Sequence, residues 1–389
     1  MRVLKAREPM QSYRRHDRFY RGARALLSPV LKKLFNFKAR MAPAIQGPYI
    51  VVANHTTDLD ALLVSISFPR HMYFVASEHI FRSRLLGGLL KYFLDPIPKQ
   101  KGGADVLTAM HMIRRLKKGI SIGLFPEGSK SFHGKPCPIV AATGSLVKAS
   151  KASLVTYRLE GGYFTSPRWA HSFRRGSMKG YPVRVYSPGE LEAMTAQDVN
   201  EAILRDIGED AYLRQSLEKV RFRGKRLAKG LENALYMCPQ CLQIGTLRGE
   251  DNRFSCPCGL KTELDEMGYL SGGPFETIEA WGLWQREELE KRIKSAQPGP
   301  LFSDRGQEVW RILSPREETL AAAGTLAADC VGLRLGSFHL PWEKAMGMEV
   351  YGKNSVVFSD TDGNHYRLRS AIERSGLKYL DTYRIISGT

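Results

Sequence analysis

A histidine and a carboxylate stand five positions apart in the segment 55–60, which reads HTTDLD. The residues before it, 48–54, are rich in β-branched and aromatic side chains and predict a buried strand. Thr57 is a good N-cap, so a helix is expected to open at Asp58. His55 then lies in the turn and Asp60 in the first helical turn. This spacing lets the Asp60 carboxylate hold one imidazole nitrogen of His55 and leaves the other nitrogen free to act as a base.

A second polar segment, FPEGSKS at 125–131, follows the apolar run 119–124 in the same way. In an open parallel sheet, ligands bind in the crevice at the carboxyl ends of the strands. The two segments are therefore expected to face one pocket. Each also has a simpler interpretation, the first as a helix cap with acids favoured by the helix dipole and the second as a turn. Their occurrence in order, each after a strand and with a helical stretch between them, favours a shared site.

In these motifs the chain resembles the glycerophosphate acyltransferase family, typified by bacterial 1-acylglycerol-3-phosphate acyltransferase. The resemblance rests on His-x4-Asp, present as His55 and Asp60, and on Phe-Pro-Glu-Gly, present at 125–128. The segment Ala-Ser-Glu at 76–78 looks like the family's sequence between those motifs, and the similarity extends over about residues 46–190.

The resemblance implies a reaction and a role for each matching residue. His55 would take the proton from an acceptor hydroxyl that attacks an acyl thioester directly, and Asp60 would orient His55 and stabilise its cation. Glu127 and Gly128 would position the glycerol phosphate. The expected acceptor is a lysophospholipid, 1-acylglycerol 3-phosphate, as in phospholipid biosynthesis. The acyl thioester co-substrate would be acyl-CoA or acyl carrier protein, and the sequence does not decide between them.

Direct attack agrees with the absence of a Gly-x-Ser-x-Gly elbow from the sequence. Cys137 lies between two prolines and is expected to be an ordinary loop thiol. The chain also departs from the family, which usually has an arginine for the acceptor phosphate after an Ile-Pro-like stretch. Here that stretch offers lysines, with Lys101 the first candidate and Lys99 the second, and solvated loop lysines remain the alternative. A lysine binds phosphate as a point charge without the bidentate fork of arginine.

The formal charge of +19 is unevenly distributed. Residues 261–389 hold 16 Lys and Arg against 19 Asp and Glu, a net charge of −3, so residues 1–260 carry +22. Within the first forty residues, basic and apolar side chains interleave, and residues 19–36 predict an amphipathic helix, kinked or restarted at Pro29, that lies on an anionic membrane surface. The alternative is a helix packed on its own domain with a solvated basic face.

No apolar run of the sequence approaches the roughly 20 residues that span a bilayer, and the basic N-terminus lacks a signal-peptide core. The expected location is therefore cytoplasmic, peripheral on the inner face of the membrane.

Four cysteines form two closely spaced pairs. Cys238 and Cys241 form the first pair, and Cys256 and Cys258 form the second. The residues between the two pairs predict a strand, a turn and a second strand. This pattern resembles a zinc ribbon, in which four thiolates close a tetrahedral structural site, although the second half is one residue shorter than the common knuckle. Two disulfides are the alternative and are improbable in a cytosolic chain. Structural zinc is the predicted cofactor.

The remaining sequence predicts a helix over 275–293 and then short strands at 318–326, 332–340, 349–358 and 364–368. A hairpin turn is expected at 360–363 and a final helix at 371–385. The order is similar to pleckstrin-homology-like domains. The net negative charge of this C-terminal region argues against phosphoinositide binding. A scaffold or partner-binding role is at least as well supported by the sequence.

The predicted fold class is α/β, with an open, mostly parallel sheet and helices, followed by a zinc ribbon and a small β-rich domain. The expected units are a basic arm at 1–45, the acyltransferase domain at 46–232, the ribbon at 233–272, and a helix with the β-rich domain at 273–389. An alternative function is a nucleic-acid-binding zinc-ribbon protein with a vestigial acyltransferase core. Against it, the acid-base residues are present and the aromatic residues form no recognisable RNA-binding motif with basic ones.

Overall fold

The computed structural model describes residues 9–77, 92–99, 106–295, 299–314, 317–370, 372 and 374–388. Its helices are α1 (Pro9–Phe35), α2 (Asp60–Ser65), α3 (Val106–Lys117), α4 (Ala142–Ser150), α5 (Gly162–Thr165), α6 (Pro188–Ala193), α7 (Ala196–Ile207), α8 (Ala211–Glu218), α9 (Ile278–Lys294) and α10 (Leu377–Ser387). The strands of the first half are β1 (Phe37–Ala39), β2 (Tyr49–Ala53), β3 (Tyr73–Ser77), β4 (Ile97–Lys99), β5 (Ile122–Leu124), β6 (Ser153–Glu160) and β7 (Met178–Tyr186). The others are β8 (Arg248–Glu250), β9 (Arg253–Ser255), β10 (Lys261–Leu264), β11 (Leu270–Ser271), β12 (Phe302–Ser314), β13 (Glu317–Ala328), β14 (Gly332–Leu335), β15 (Phe338–Pro341), β16 (Ala345–Tyr351), β17 (Ser355–Asp360) and β18 (His365–Ser370).

The first sheet has the order β1-β7-β6-β2-β5-β3-β4. Strands β6, β2, β5, β3 and β4 are parallel, whereas β7 is antiparallel to β6. The mostly parallel sheet predicted from the sequence is therefore confirmed. Because β2 and β5 are neighbours and parallel, the polar segments that follow them leave the same edge of the sheet.

Both faces of this sheet are covered, which explains the continuous apolar runs of its central strands. Along β2, Ile50 and Val52 join one buried cluster with α3, α4 and α7. The alternate residues Tyr49, Val51 and Ala53 join a second cluster that includes residues of α2. The sheet is thus a fixed platform for the turns at its edge.

Helix α1 is longer than predicted and runs through Pro29 without the expected restart. Its first half packs on its own domain: Tyr13 donates a hydrogen bond to the His71 carbonyl, and Tyr20 to the Phe68 carbonyl. The second half leaves several large apolar side chains exposed, namely Leu26, Leu27, Val30 and Leu34. The first half therefore agrees with a helix packed on its own domain, and the membrane-surface interpretation stays a prediction for the second half.

The cysteine-rich segment contains a four-stranded antiparallel sheet in the order β11-β10-β9-β8. The strand, turn and strand predicted between the cysteine pairs are β8 and β9, joined at Asp251 with a positive φ of 49°. Buried Phe254 of β9 belongs to the same core as Trp281 of α9 and Phe164 of α5. The ribbon therefore shares its core with the elements on either side of it.

The C-terminal sheet is antiparallel and has the order β15-β14-β13-β12-β18-β17-β16, with α10 following it. The predicted turn at 360–363 is present. The strands predicted at 332–340 and 349–358 are instead two hairpins, because Gly336 and Gly352 adopt positive φ angles of 58° and 64°. The final helix begins at Leu377, later than predicted, and β12 was not predicted.

Candidate active site

The Asp60 carboxylate is fully buried beneath the turn that follows β2. Oδ2 accepts hydrogen bonds from the backbone N–H groups of Thr56 and Thr57 at 2.5 and 2.8 Å. Oδ1 accepts one from the Thr57 hydroxyl at 2.7 Å. The prediction that Thr57 caps a helix opening at Asp58 is wrong, because the helix begins at Asp60 and has Leu59 at its N-cap. The Thr57 hydroxyl donates to the Asp60 carboxylate and accepts a hydrogen bond of 3.1 Å from the Leu59 N–H just before the helix.

His55 lies directly against this carboxylate, with 2.8 Å between its Nδ1 and Asp60 Oδ2. An ionised carboxylate only accepts hydrogen bonds, so the proton is assigned to Nδ1 and the lone pair to Nε2. The imidazole stacks on Phe125 with 4.7 Å between ring centroids, and a quarter of the His55 side chain is exposed. Asp60 therefore fixes the imidazole at Nδ1, while part of the His55 ring stays exposed.

The loop after β5 turns beside this pair. Gly128 has a φ of +67° and its N–H donates to the Phe125 carbonyl at 3.2 Å, which forms the tight turn. The Glu127 carboxylate accepts a weak hydrogen bond of 3.4 Å from the backbone N–H of His55. Burial raises the pKa of Glu127 to about 8, and the nearby Asp60 and Glu209 carboxylates add to the rise. At neutral pH this acid is therefore mainly protonated.

A cleft of about 220 Å³ opens beside His55. Its walls are mostly apolar and come from the ends of β3 and β5 and from α3 and α4, with Val75, Ala109, Met112, Leu124, Val140 and Leu146 among them. Gly128 also lines this cleft. The sequence predicted a pocket shared by the two polar segments but not its apolar walls, although the apolar periodicity of α3 was available as a signal. A cavity of this composition accommodates an apolar chain that ends near His55.

Of the two candidate phosphate ligands, Lys99 and Lys101, the structure describes only the backbone of Lys99. Lys101 lies outside the described residues. The backbone of Lys99 ends β4 and pairs with Ser77 of β3, next to Ala76, which lines the cleft. In the loop after β5, Lys130 is engaged with Asp58 at 2.6 Å.

Arg168 is a buried residue that the sequence analysis missed. Its guanidinium donates to Ser129 Oγ at 2.6 Å and to the Lys130 carbonyl at 2.9 Å. On its other side it donates to the carbonyls of Gly352 and Val350 in the β16–β17 hairpin. The neighbouring Glu349 lines the cleft together with His55. The C-terminal sheet is thus joined to the loop after β5 and contributes to the wall of the site.

Cys137 is close to this site but is poorly suited to nucleophilic attack. Burial, with the nearby Glu127 carboxylate, raises the pKa of its thiol to about 12. Because the thiolate is the nucleophilic form, this burial keeps the side chain inert.

The four predicted ligand cysteines converge at one point. The Sγ atoms of Cys238, Cys241, Cys256 and Cys258 all lie within 4.8 Å of one another. The Cys238–Cys258 and Cys241–Cys256 sulphur separations are 3.6 and 3.7 Å. Two thiolates at the usual zinc–sulphur distance of about 2.3 Å in a tetrahedron are ~3.8 Å apart, whereas a disulfide needs about 2 Å. The arrangement therefore suits a metal ion better than the disulfide alternative.

Residues 32–177 match the family model described as Acyltransferase. An uncharacterized acyltransferase of Schizosaccharomyces pombe is 26% identical over 162 residues, which cover 40% of this chain and 56% of the relative. The 1-acyl-sn-glycerol-3-phosphate acyltransferase of Saccharomyces cerevisiae is 25% identical over 40% of this chain and 51% of its own length.

The enzyme of the same name from Bacillus subtilis is 24% identical over 35% of this chain and 65% of its own length. The chain thus spans about half to two thirds of the curated relatives it matches. Among solved structures, the 1-acyl-sn-glycerophosphate acyltransferase of Thermotoga maritima aligns with a TM-score of 0.39 and 18% identity, over 50% of this chain and 82% of the other.

None of the helices in the described ranges is sufficiently long and apolar to cross a bilayer.

Proposed function

We propose that this protein transfers an acyl chain from a thioester donor to the hydroxyl of a lysophospholipid, with 1-acylglycerol 3-phosphate as the acceptor. The observation that carries the proposal is the His55–Asp60 pair, with 2.8 Å between Nδ1 and Oδ2, at the side of an apolar cleft. The family match of residues 32–177 supports the reaction class, and the two named relatives support the acceptor class.

In the proposed reaction, His55 Nε2 accepts the proton of the acceptor hydroxyl as its oxygen attacks the thioester carbonyl carbon. A tetrahedral intermediate forms, the carbon–sulphur bond breaks, and the leaving thiolate receives the proton from the imidazolium. The products are a diacylated lipid and a free thiol. Asp60 stabilises the imidazolium and keeps the ring oriented. General acid–base catalysis of this kind contributes about 10² to 10⁴-fold to the rate.

The apolar cleft is assigned to the acyl chain. Each methylene buried there contributes ~0.8 kcal/mol to binding. The donor is an acyl-CoA or an acyl carrier protein, since both present the same thioester.

The acceptor headgroup is assigned to the polar surroundings of His55, where Gly128 lines the cleft and Glu127 lines a smaller cavity that also contains His55, and these two residues are proposed to position the glycerol phosphate. A carboxyl group that is protonated at neutral pH does not repel a phosphate as a carboxylate would, which supports this placement of Glu127. Lys101 and Lys99 are the proposed cationic ligands of that phosphate.

We assign Cys238, Cys241, Cys256 and Cys258 to one structural zinc ion. Zinc would close a four-thiolate site with no open coordination position, so its contribution is to folding. We also place the protein peripherally on the anionic inner face of a membrane, because the second half of α1 presents apolar side chains beside Lys32 and Lys33.

The test is mass spectrometry of lipids after the purified chain is incubated with a panel of lysolipids and acyl donors. The expected result is a diacylated product that requires both substrates, with phosphatidic acid formed fastest. Controls omit the donor or the acceptor in turn. If no lysolipid is acylated with any donor while the protein binds oligonucleotides tightly across a salt series, the nucleic-acid alternative replaces the proposal.

A further inference from the structure

A basic groove lies between the end of α1, the segment 175–177 before β7, and residues 220–223. Its volume is about 930 Å³. Its cationic side chains are Lys33, Arg175, Arg221 and Arg223, and its apolar ones include Val30 and Leu34 of α1. None of these residues belongs to the site at the carboxyl ends of β2 and β5.

The backbone under the groove is fixed. Arg175 and Arg223 face each other in an antiparallel bridge, with backbone hydrogen bonds of 2.7 and 2.8 Å in the two directions. Asn36 Nδ2 donates to the Gly176 carbonyl at 3.0 Å, which ties the residue after α1 to the same segment. A Cβ on Gly176 would come within 2.1 Å of the ring of buried Phe222. Residues 175–177 and 220–223 are therefore in close contact.

This geometry directs the arginines outward. Phe222 is 1% exposed, whereas Arg221 and Arg223 on either side of it are exposed. Successive side chains of an extended segment point to opposite faces, which accounts for this pattern. Arg175, directly opposite Arg223 in the bridge, is exposed as well. Paired residues of an antiparallel bridge present their side chains on one face.

The charge of the groove is not balanced by neighbouring acids. Within the described part of the chain, no ion pair is formed by Lys33, Arg175, Arg221 or Arg223. Four cations around one groove favour a phosphate-bearing ligand. Apolar side chains among them favour a ligand that also has a hydrophobic part.

The apolar wall continues along α1. Leu26 is 73% exposed and Val30 56% exposed on the helix that supplies Lys33 and Leu34. Phe173, 55% exposed, packs on Phe35 at the end of the same helix, with 5.6 Å between ring centroids. Basic side chains next to exposed leucine and phenylalanine are the composition of a surface that lies in the membrane interface.

We propose that the basic groove binds the phosphate headgroup of an anionic phospholipid in the bilayer, and that this lipid seats the end of α1 on the membrane. The inference rests on the proposed function, because a site for a membrane lipid presupposes that the protein acts at a membrane. The ligand is a component of the supporting membrane and is separate from the acceptor at His55.

The experiment compares two triple variants of the full chain with equal loss of charge. One is Arg175→Ala/Arg221→Ala/Arg223→Ala, and the matched control is Lys117→Ala/Lys118→Ala/Lys344→Ala, whose lysines are exposed and lie at the end of α3 and just before β16. Sedimentation measures binding to phosphatidylcholine vesicles with and without phosphatidylglycerol, at low and high salt. Thermal unfolding verifies that both variants are folded.

The groove variant should bind phosphatidylglycerol vesicles about a hundredfold more weakly than the unmodified chain, and the control variant less than about threefold more weakly. Equal losses in the two variants, or no loss in either, would overturn the proposal. Displacement by millimolar inorganic phosphate that equals removal of phosphatidylglycerol would identify a free-anion site and contradict a lipid site. A larger loss for an oligonucleotide than for vesicles would identify a nucleic-acid site and also overturn it.

Vesicle binding is measured without turnover, so this test stays separate from that of the proposed function. The His55→Ala variant should bind vesicles as the unmodified chain does. Absence of acyl transfer together with the expected loss for the groove variant would contradict the proposed function and leave the lipid site standing.

Discussion

Two buried carboxylates in different regions of the molecule have opposite surroundings. Asp60, at the edge of the first sheet, has backbone N–H groups and one histidine around it, and that histidine reaches an open cleft. Asp304, on β12 of the C-terminal sheet, accepts hydrogen bonds from Lys378 at 2.8 Å and from the Tyr379 hydroxyl at 2.5 Å. Both of those partners are buried.

The difference shows what burial of an acid does and does not indicate. Burial lowers the pKa of Lys378, although the nearby Asp304 carboxylate favours the charged form of the lysine. Both side chains are buried. Such a pair supports folding but has no access to a substrate. Asp60 is buried as completely, yet its partner His55 is partly exposed. A functional assignment therefore depends on the partner of the acid and on the access of that partner to a cleft.

The largest expected effect concerns the cysteine cluster, whose proposed role is structural rather than catalytic. Apparent metal-binding free energies of such sites are on the order of 10 kcal/mol or more, so chelation or Cys238→Ser should unfold the ribbon. Because Phe254 shares a core with Phe164 and Trp281, the unfolding should extend beyond the ribbon and activity should fall with it. Circular dichroism during zinc release measures this. Zinc loss that abolishes activity without unfolding would show that the metal is not structural, and reduced protein without zinc would refute the site.

Asp304→Asn tests the sealed side of the comparison. Removal of one charge from a buried pair leaves Lys378 uncompensated and should lower the free energy of unfolding by about 3–5 kcal/mol. The turnover number per folded molecule should not change. Denaturant titration and an acyl-transfer assay of the folded fraction measure both quantities, and a lowered turnover number at full folding would place this cluster in the catalytic machinery.

Asp60→Asn tests the open side. An amide no longer stabilises the imidazolium, and its N–H₂ group favours the wrong tautomer of His55, so turnover should fall about 10²-fold. Stability should also fall, because Asp60 accepts several hydrogen bonds. The decisive quantity is turnover per folded molecule. If the variant loses thermal stability only, Asp60 has a purely structural role.

Glu127→Gln is expected to remove a pH dependence of the stability. The pKa of Glu127 is raised to about 8 in the folded chain, above the value of an unfolded glutamate. Between about pH 5 and 8 the folded state therefore binds a proton that the unfolded state has lost, and stability should decline as the pH rises through that interval. The glutamine variant should lack this decline. Melting temperatures from pH 5 to 9 measure it, and parallel curves for both proteins would contradict the raised pKa.

The sequence predicted the parts of this molecule that depend on local spacing. His55 and Asp60 are close in sequence, and the apolar runs before both motifs are strands of one parallel sheet. Local spacing failed at Thr57, because the helix begins two residues later than the cap predicted and the Thr57 hydroxyl donates to Asp60 while it accepts from the Leu59 N–H. It also failed at β12, where buried Asp304 and Gln307 interrupt the apolar alternation by which strands are recognised.

The rest depends on contacts between distant parts of the chain. Arg168 binds Val350 across 182 positions, and only the fold brings the C-terminal sheet to the loop after β5. The cleft similarly needs α3, α4 and the ends of two strands in place. Periodicity identifies the apolar face of each helix but not the cavity that several such faces leave between them.

The most direct test of the central claim is the acyl-transfer rate of His55→Ala per folded molecule. The lysolipid assay is run at saturating donor and acceptor, and thermal unfolding verifies that the variant is folded. The account predicts a rate about 10² to 10⁴-fold below that of the unmodified chain, because the general base is lost. A folded variant with full activity would contradict the assignment of His55 as the base and, with it, the proposed mechanism.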